Sequence, residues 1–199
     1  MNESTADRRY LFLTVFVAGM STLAVEFTAS RLLQTVYGTS NIVWANVIGL
    51  VLLSLTGGYF IGGRLADRRP DAFLFYALVS VAGFCVIFFL LLTSVVLRGA
   101  AGALAALNVG VVAGSLLLVV LALVVPVTLL GFLSPFAVRL AVRDVAEAGR
   151  VSGRIYAVST LGSLLGTYLP VLVVIPLAGS RRTAVIFGVV LLAVGLLGV

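Results

Sequence analysis

Two charged residues lie inside an apolar stretch near the start of the chain, where they could do chemistry. Glu26 and Arg31 belong to AVEFTASRLLQTVYG, residues 24–38. In a helix that begins at Tyr10, a rise of about 1.5 Å per residue places Glu26 roughly 24 Å and Arg31 roughly 31 Å along the axis. Arg31 can therefore extend to the membrane interface as an anchor. A carboxylate at the depth of Glu26 is typical of a bundle interior or a water-filled cavity, which makes it a candidate for substrate binding or proton coupling.

A second polar feature lies in the fifth apolar segment. Tyr156, Thr160, Ser163 and Thr167 follow one another at intervals of four, three and four residues. This spacing places a stripe of hydroxyl groups on one helical face. Such a stripe either lines a polar cavity or forms hydrogen bonds between helices, and the sequence leaves both interpretations open.

The composition predicts an integral membrane protein. Of 199 residues, 62% are hydrophobic and only 10% are charged, and the mean hydropathy is +1.25. A soluble domain carries about a quarter charged residues. The 13 basic residues are scattered between apolar spans, so nucleic acid is not an expected partner.

The residues that most often carry catalysis are missing. The chain has no histidine, and its single cysteine, Cys85, lies in an apolar run, where we interpret it as a small buried hydrophobe. Triads and imidazole metal sites are therefore excluded. We expect neither an enzyme, nor a metal site, nor a cofactor.

Six segments are long enough to cross a bilayer, which takes about 20 apolar residues. They form one transmembrane domain over residues 1–199, with spans at 10–37, 41–63, 72–97, 111–134, 153–177 and 183–199. The alternating pattern of strands is missing, so the sequence predicts an all-α membrane protein.

The arginines predict how the protein lies in the membrane. If the N-terminus is inside, nine arginines fall on the cytoplasmic side and three on the outer side, with Arg31 inside a span. The positive-inside rule then places both termini in the cytoplasm of a multi-pass cell-membrane protein.

The segment after the fourth span has two interpretations. Pro135 is followed by Arg139, Arg143 and Glu147 at four-residue spacing. Proline is favourable at a first helical position, so residues 135–149 could form a separate helix at the membrane interface. A plain extension of the fourth span into water is the alternative.

The loop after the second span carries a short motif. In GGRLADRRP, residues 62–70, the residues Gly63, Asp67 and Arg68 match the G-x-x-x-D-R core that the major facilitator superfamily carries between its second and third helices. We expect Asp67 to cap the helix that follows.

Helix packing and an internal repeat are also predicted. Two G-x-x-x-G motifs, Gly58 to Gly62 and Gly162 to Gly166, are typical of closely packed helices. The segments LADRR (65–69) and LAGSRR (177–182) are similar, as are Arg31-Leu32 and Arg139-Leu140. Since spans one to three and four to six run in opposite directions, these matches indicate an inverted repeat of three helices, as in half of a major-facilitator-like bundle.

The chain resembles the membrane module of spermidine synthase-like integral membrane proteins. The resemblance lies in Glu26, Arg31-Leu32-Leu33, Gly38-Thr39-Ser40, Trp44, the glycines from Gly57 to Gly63, and the fifth span from Gly153 to Gly166. It implies transporter-like helices beside an aminopropyltransferase domain. These residues include no such domain, so that activity is not expected of them.

Two functions follow as hypotheses. The first is a transporter-like homodimer in the lipid bilayer, in which Glu26 and the fifth-span hydroxyls line a cavity. The resemblance implies a small cationic solute such as a polyamine. The second is a non-transporting anchor or scaffold for a spermidine synthase-like enzyme, which is encoded separately or follows Val199. A soluble synthase would then bind the arginine-rich loops from Arg139 to Arg154.

Overall fold

The computed structural model describes residues 5–37, 41–106 and 111–199, and these are helical apart from short turns. The helices are α1 Thr5–Tyr37, α2 Asn41–Arg68, α3 Ala72–Ala106, α4 Val111–Ala141, α5 Ala148–Leu169, α6 Ile175–Ala178 and α7 Ser180–Gly198. The described residues contain six candidate membrane spans, of which the fifth includes both α5 and α6. The prediction of an all-α, multi-pass membrane protein is confirmed. Gly38, Thr39 and Ser40 lie outside the described residues.

The helices extend beyond the predicted spans. α2 continues to Arg68 and α4 to Ala141, past predicted ends at residues 63 and 134. Hydropathy marks where the apolar side chains stop. Backbone hydrogen bonding continues in a helix that leaves the hydrocarbon region, so the helix ends later than its apolar part.

Pro135 does not begin a separate interfacial helix, contrary to one of the two interpretations. It lies inside α4, and its neighbour Phe136 is fully buried, with its ring centroid 5.8 Å from that of Phe75 in α3. This packing holds the segment against the bundle, where a proline is tolerated within a membrane helix. Beyond Ala141, Asp144 caps the single 3-10 turn Val145–Glu147.

The fifth span changes its helical pitch near its end. A π-helical segment, Pro170–Val174, separates α5 from α6, and the N–H of Ile175 donates to the carbonyl of Pro170 across five residues. Gly179 then turns the chain into α7 with a φ of 81°, a backbone conformation that favours glycine.

The spans pair in a pattern that links the two halves of the chain. α1 packs along α5, α2 along α4, and α3 along α7, while α1 and α4 also meet each other. We call the swap of the first three spans with the last three the half-exchange. It replaces α1 with α4, α2 with α5 and α3 with α7, so the α1–α5 pair becomes the α4–α2 pair. It leaves the α3–α7 pair in place. The fold therefore has the organisation of an inverted repeat.

Glycines let α2 approach α4 at backbone distance. A Cβ added to Gly58 would lie 2.9 Å from the Cα of Gly131. One added to Gly62 would lie 2.5 Å from the Cα of Phe132. Real Cβ atoms hardly ever come this close, so only glycine permits this helix separation.

The same contact recurs between α5 and α1. A Cβ on Gly162 would lie 2.9 Å from the carbonyl carbon of Phe16. One on Gly166 would lie 2.8 Å from the carbonyl carbon of Met20. Both G-x-x-x-G motifs therefore pack against a helix from the other half of the chain.

The half-exchange fixes a residue register. Met20 corresponds to Phe132, and this pair has the same sequence offset as Gly19 and Gly131. The sequence-based match of Arg31-Leu32 with Arg139-Leu140 is four residues away from this register, about one helical turn. That match found related helices but aligned them wrongly, because Arg-Leu pairs are frequent in this composition.

Candidate functional site

A cavity of about 100 Å³ lies between α1, α2, α4 and α5, near the middle of their spans. Its wall combines apolar side chains with five hydroxyl groups: Val15, Ala18, Gly19, Leu23, Leu55, Leu130 and Leu133, together with Thr22, Tyr59, Ser134, Ser159 and Ser163. In transporters built from inverted repeats, substrate sites lie near this depth, at the interface of the repeats.

The cavity lies where the two halves of the chain meet. In the register of the packing glycines, eight of its twelve lining residues form equivalent pairs: Ala18 with Leu130, Thr22 with Ser134, Leu55 with Ser159, and Tyr59 with Ser163. Two of these pairs, Thr22 with Ser134 and Tyr59 with Ser163, carry a hydroxyl in both halves. In a third pair, Leu55 is the equivalent of Ser159 and carries none. The cavity wall is therefore only partly symmetric, because the counterparts of Val15, Gly19, Leu23 and Leu133 lie outside it.

The hydroxyl groups can bind water or a small polar solute. Thr22 Oγ1 donates to the carbonyl of Ala18 at 2.8 Å, and Ser163 Oγ donates to the carbonyl of Gly19 at 3.1 Å. Their oxygen lone pairs stay available as acceptors toward the cavity. At about 100 Å³ the cavity is small, and in this conformation it has room for waters or a small solute. The residues of its wall carry no charge.

The predicted hydroxyl stripe is only partly a cavity wall. Ser163 lines the cavity, whereas Tyr156, Thr160 and Thr167 do not. Thr160 donates to the carbonyl of Tyr156, and Thr167 to that of Ser163, within their own helix. Along α5 the cavity covers about one helical turn, from Ser159 to Ser163, and the stripe covers about three, so most of the stripe lies beyond the cavity. Ser163 combines both interpretations, since it lines the cavity and bonds across helices.

Glu26 lies beside the cavity and not in its wall. It follows Thr22 by one helical turn on the same face of α1, and it is half-buried. The hypothesis that Glu26 and the fifth-span hydroxyls line one cavity therefore holds for Ser163 alone.

Asp67 has another role than the predicted cap. It lies in the last turn of α2, and its Oδ1 is 3.5 Å from the Nε of Arg139 in α4. The N–H of Phe73 at the start of α3 instead bonds to the carboxylate of Asp71, at 3.1 Å. Asp71 is closer in sequence to α3, and Pro70 separates Asp67 from that helix.

The rest of the loop motif surrounds a cleft at the same end of the bundle. Gly63, Asp67 and Arg139 line this cleft of about 360 Å³, together with Pro135 and residues that follow it. Arg68 is exposed beside it. The motif thus joins the ends of α2 and α4. These helices are not equivalent to each other, because the half-exchange relates α2 to α5 and α4 to α1.

Sequence reasoning missed Tyr59, Ser134 and Ser159 as cavity residues. A signal was present, because Tyr59 directly follows Gly58 and Ser163 directly follows Gly162. A hydroxyl beside a packing glycine lies at the margin of a close helix contact, where a cavity can open.

Comparison with known proteins finds no matching protein family, no similar curated protein and no matching solved structure. Within the described residues, no three His, Cys, Asp or Glu side chains gather as a metal site.

Proposed function

We propose that the protein is a transporter-like membrane protein with its solute path through the hydroxyl-lined cavity. The observation that carries this proposal is the position of the cavity, at mid-span and on the boundary between two inverted halves. Alternating access commonly works by rocking such halves around a central site. A structure that serves only as an anchor needs no polar space at this depth.

The second part of the proposal is a homodimer, in which two copies of the chain pair as the two halves of a major-facilitator-like bundle do. The second and fifth spans are the least buried in the molecule. Tyr59, Tyr156 and Thr160 are exposed there at bilayer depth. Polar side chains that face lipid tails are unfavourable, so a second copy that covers this surface would remove them from the lipid and would enlarge the cavity.

A small cation is the proposed solute. Glu26 supplies a carboxylate one turn from Thr22, and the cavity hydroxyls supply acceptor oxygens. A polyamine is the choice that the resemblance to spermidine synthase-like membrane modules favours. A polyamine as long as spermidine is larger than this cavity of about 100 Å³, so its passage requires the wider space of a dimer or of another conformation.

The proposed location is the cell membrane with both termini in the cytoplasm. Nine arginines lie at the end of the bundle that carries Asp67, and four at the end that carries Arg31. This difference supports placing the Asp67 end inside.

Transport is tested by uptake of radiolabelled putrescine and spermidine into proteoliposomes. We expect Glu26→Gln to lower the initial rate at least about tenfold, because the cation loses its charge partner. Glu147→Gln is the matched control, since Glu147 is exposed outside the membrane and pairs with Arg150. Equal uptake by wild type and Glu26→Gln would remove Glu26 from the mechanism, and wild-type uptake no faster than that of empty liposomes would remove transport.

The dimer is tested by cysteine cross-linking in a Cys85→Ala background, which contains no other cysteine. Thr160→Cys lies on the proposed dimer face and should form a cross-linked dimer. Val81→Cys is the control, because Val81 is 48% exposed on α3 at a similar depth. Equal cross-linking at the two positions would contradict the proposed face.

A membrane module for a synthase is the second candidate. The observation in its favour is the group of exposed arginines around the Asp67 cleft: Arg64, Arg68, Arg69, Arg139, Arg143, Arg150 and Arg154. Such a surface suits an acidic partner. Salt-sensitive binding of a purified spermidine synthase, together with no solute uptake, would favour this candidate over the transporter.

A further inference from the structure

A second polar cleft lies at the Arg31 end of the bundle, and along α1 its wall begins at Phe27, one helical turn beyond Leu23 of the central cavity. It has a volume of about 380 Å³ and lies between α1, the start of α2 and the π-helical segment of the fifth span. Phe27, Ser30, Arg31, Gln34, Trp44 and Val171 line it. Neither Glu26 nor any other acidic residue belongs to this wall.

The wall of this Arg31 cleft is rich in hydrogen-bond donors. The guanidinium of Arg31 has five N–H groups in a planar fork, the indole of Trp44 donates only, and the amide of Gln34 can donate two bonds. A positive charge with several donors is the chemistry that recognises an anion with several oxygens, and guanidinium is well suited to phosphate.

Ser30 adds an independent observation. Its side chain is 2% exposed, and its Oγ has no hydrogen-bond partner among the described residues. A serine or threonine in a membrane helix commonly bonds to its own backbone, as Thr28 does to the carbonyl of Ala24 at 2.6 Å. The unused hydroxyl of Ser30 borders the cleft and can bond a ligand there.

The apolar part of the wall limits what the ligand can be. Phe27 packs edge-on against Trp44 with ring centroids 6.4 Å apart, and Val171 stands in the π-helical segment. Tryptophan and arginine at the end of a span are typical of the lipid headgroup region. The cleft thus offers donors for a phosphate and an apolar surface for what the phosphate is attached to.

We propose that the Arg31 cleft is a phosphate-binding site, in which Arg31 and Ser30 hold the phosphate oxygens beside Trp44. The phosphate belongs either to a lipid headgroup or to a free anion. This site is separate from the proposed solute path, so it stands or fails independently of transport.

Trp44 is the chain's only tryptophan, so its fluorescence reports on this cleft directly. The experiment titrates the full chain in neutral detergent micelles with phosphatidylglycerol in one arm and inorganic phosphate in the other. Diacylglycerol, which lacks phosphate, is the control for lipid packing. We expect a saturable change of Trp44 emission with a phosphate compound and none with diacylglycerol.

The variants test the residues. Arg31→Gln should weaken the response at least about tenfold, because a charge-assisted bidentate contact is lost. Arg31→Lys, which keeps the charge and loses the fork, should give an intermediate midpoint and guards against a folding defect. Arg181→Gln removes an arginine at the same end outside this cleft and should respond as wild type does.

The two arms identify the source of the phosphate. Saturation by phosphatidylglycerol alone assigns a lipid headgroup, and saturation by inorganic phosphate assigns a soluble anion. Emission that is unchanged in both arms, or a midpoint in Arg31→Gln equal to that of wild type, overturns the proposal.

Discussion

Gly19 and Gly131 hold equivalent places in the two halves of the bundle. A Cβ on Gly19 would meet the backbone carbonyl of Ser159, and one on Gly131 would meet the backbone carbonyl of Leu55, with the closer approach at Gly19. Ser159 and Leu55 are themselves related by the half-exchange. The two halves therefore interlock through the same backbone contact, made twice, on either side of the central cavity.

Gly162→Ala should destabilise the protein. The added Cβ would meet the backbone of α1, which cannot move aside as a side chain can, so α5 must shift. Overpacking of this kind costs about 1 to 3 kcal/mol. The measurement is the free energy of unfolding in a detergent titration. In the same helix, a Cβ added at Gly153 meets open space, so Gly153→Ala should stabilise the protein by about 0.5 to 1 kcal/mol. Equal effects of the two changes would contradict the close α1–α5 contact.

Gly58→Ala should have an effect similar to that of Gly162→Ala. The half-exchange relates the two glycines, and each faces the backbone of its neighbouring helix. We expect the same direction and a similar loss, about 1 to 3 kcal/mol, in the same unfolding titration. Gly57→Ala is the neighbouring control, because a Cβ there meets nothing within 4 Å. Destabilisation by Gly162→Ala alone would mean that the two halves are not packed alike.

Ser163→Ala should weaken the α1–α5 contact slightly. It removes the hydrogen bond from Ser163 Oγ to the carbonyl of Gly19. Hydrogen bonds between membrane helices contribute about 0.6 kcal/mol on average. Thr160→Ala is the comparison, since Thr160 bonds only within its own helix and is exposed. The unfolding titration should show a smaller loss for Thr160→Ala. If Thr160→Ala lowered the free energy of unfolding more than Ser163→Ala does, the Ser163–Gly19 hydrogen bond would not be the one that stabilises the α1–α5 contact.

The Asp67–Arg139 ion pair should contribute little to stability. Its side chains are 75% and 47% exposed, and exposed pairs contribute about 0 to 1 kcal/mol. A double-mutant cycle of Asp67→Asn and Arg139→Gln should therefore give a coupling energy below about 1 kcal/mol, reduced further by salt. A stronger coupling would show that water does not screen this end of α2.

The helices could be predicted from the sequence, whereas the contacts between them could not. The apolar runs gave the six spans and the starts of α2, α3 and α4, because hydropathy depends on each segment alone. The sequence did not determine where α4 ends. Whether Pro135 ends a helix depends on how Phe136 packs against Phe75 in α3. That contact joins residues far apart in the chain.

The cavity shows the same limit. Ser163 was a candidate because its stripe has helical spacing, whereas Ser134 and Tyr59 belong to no stripe that the sequence analysis identified. They become a site only when α2 and α4 meet α1 and α5. Glu26 attracted attention because charge is rare in an apolar run, yet rarity does not determine where a side chain points. The spacing of glycines was the more informative pattern, since close packing determines which residues border the space beside it.

The packing of this bundle hardly distinguishes the two ways of inserting it into a membrane. A half-turn about an axis in the membrane plane brings the α1–α5 pair onto the α4–α2 pair, so the helix pairing and its glycine contacts recur in either orientation. Nine arginines at one end against four at the other then carry most of the information on topology. Moving a few of these charges should produce dual-topology insertion without disturbing the fold.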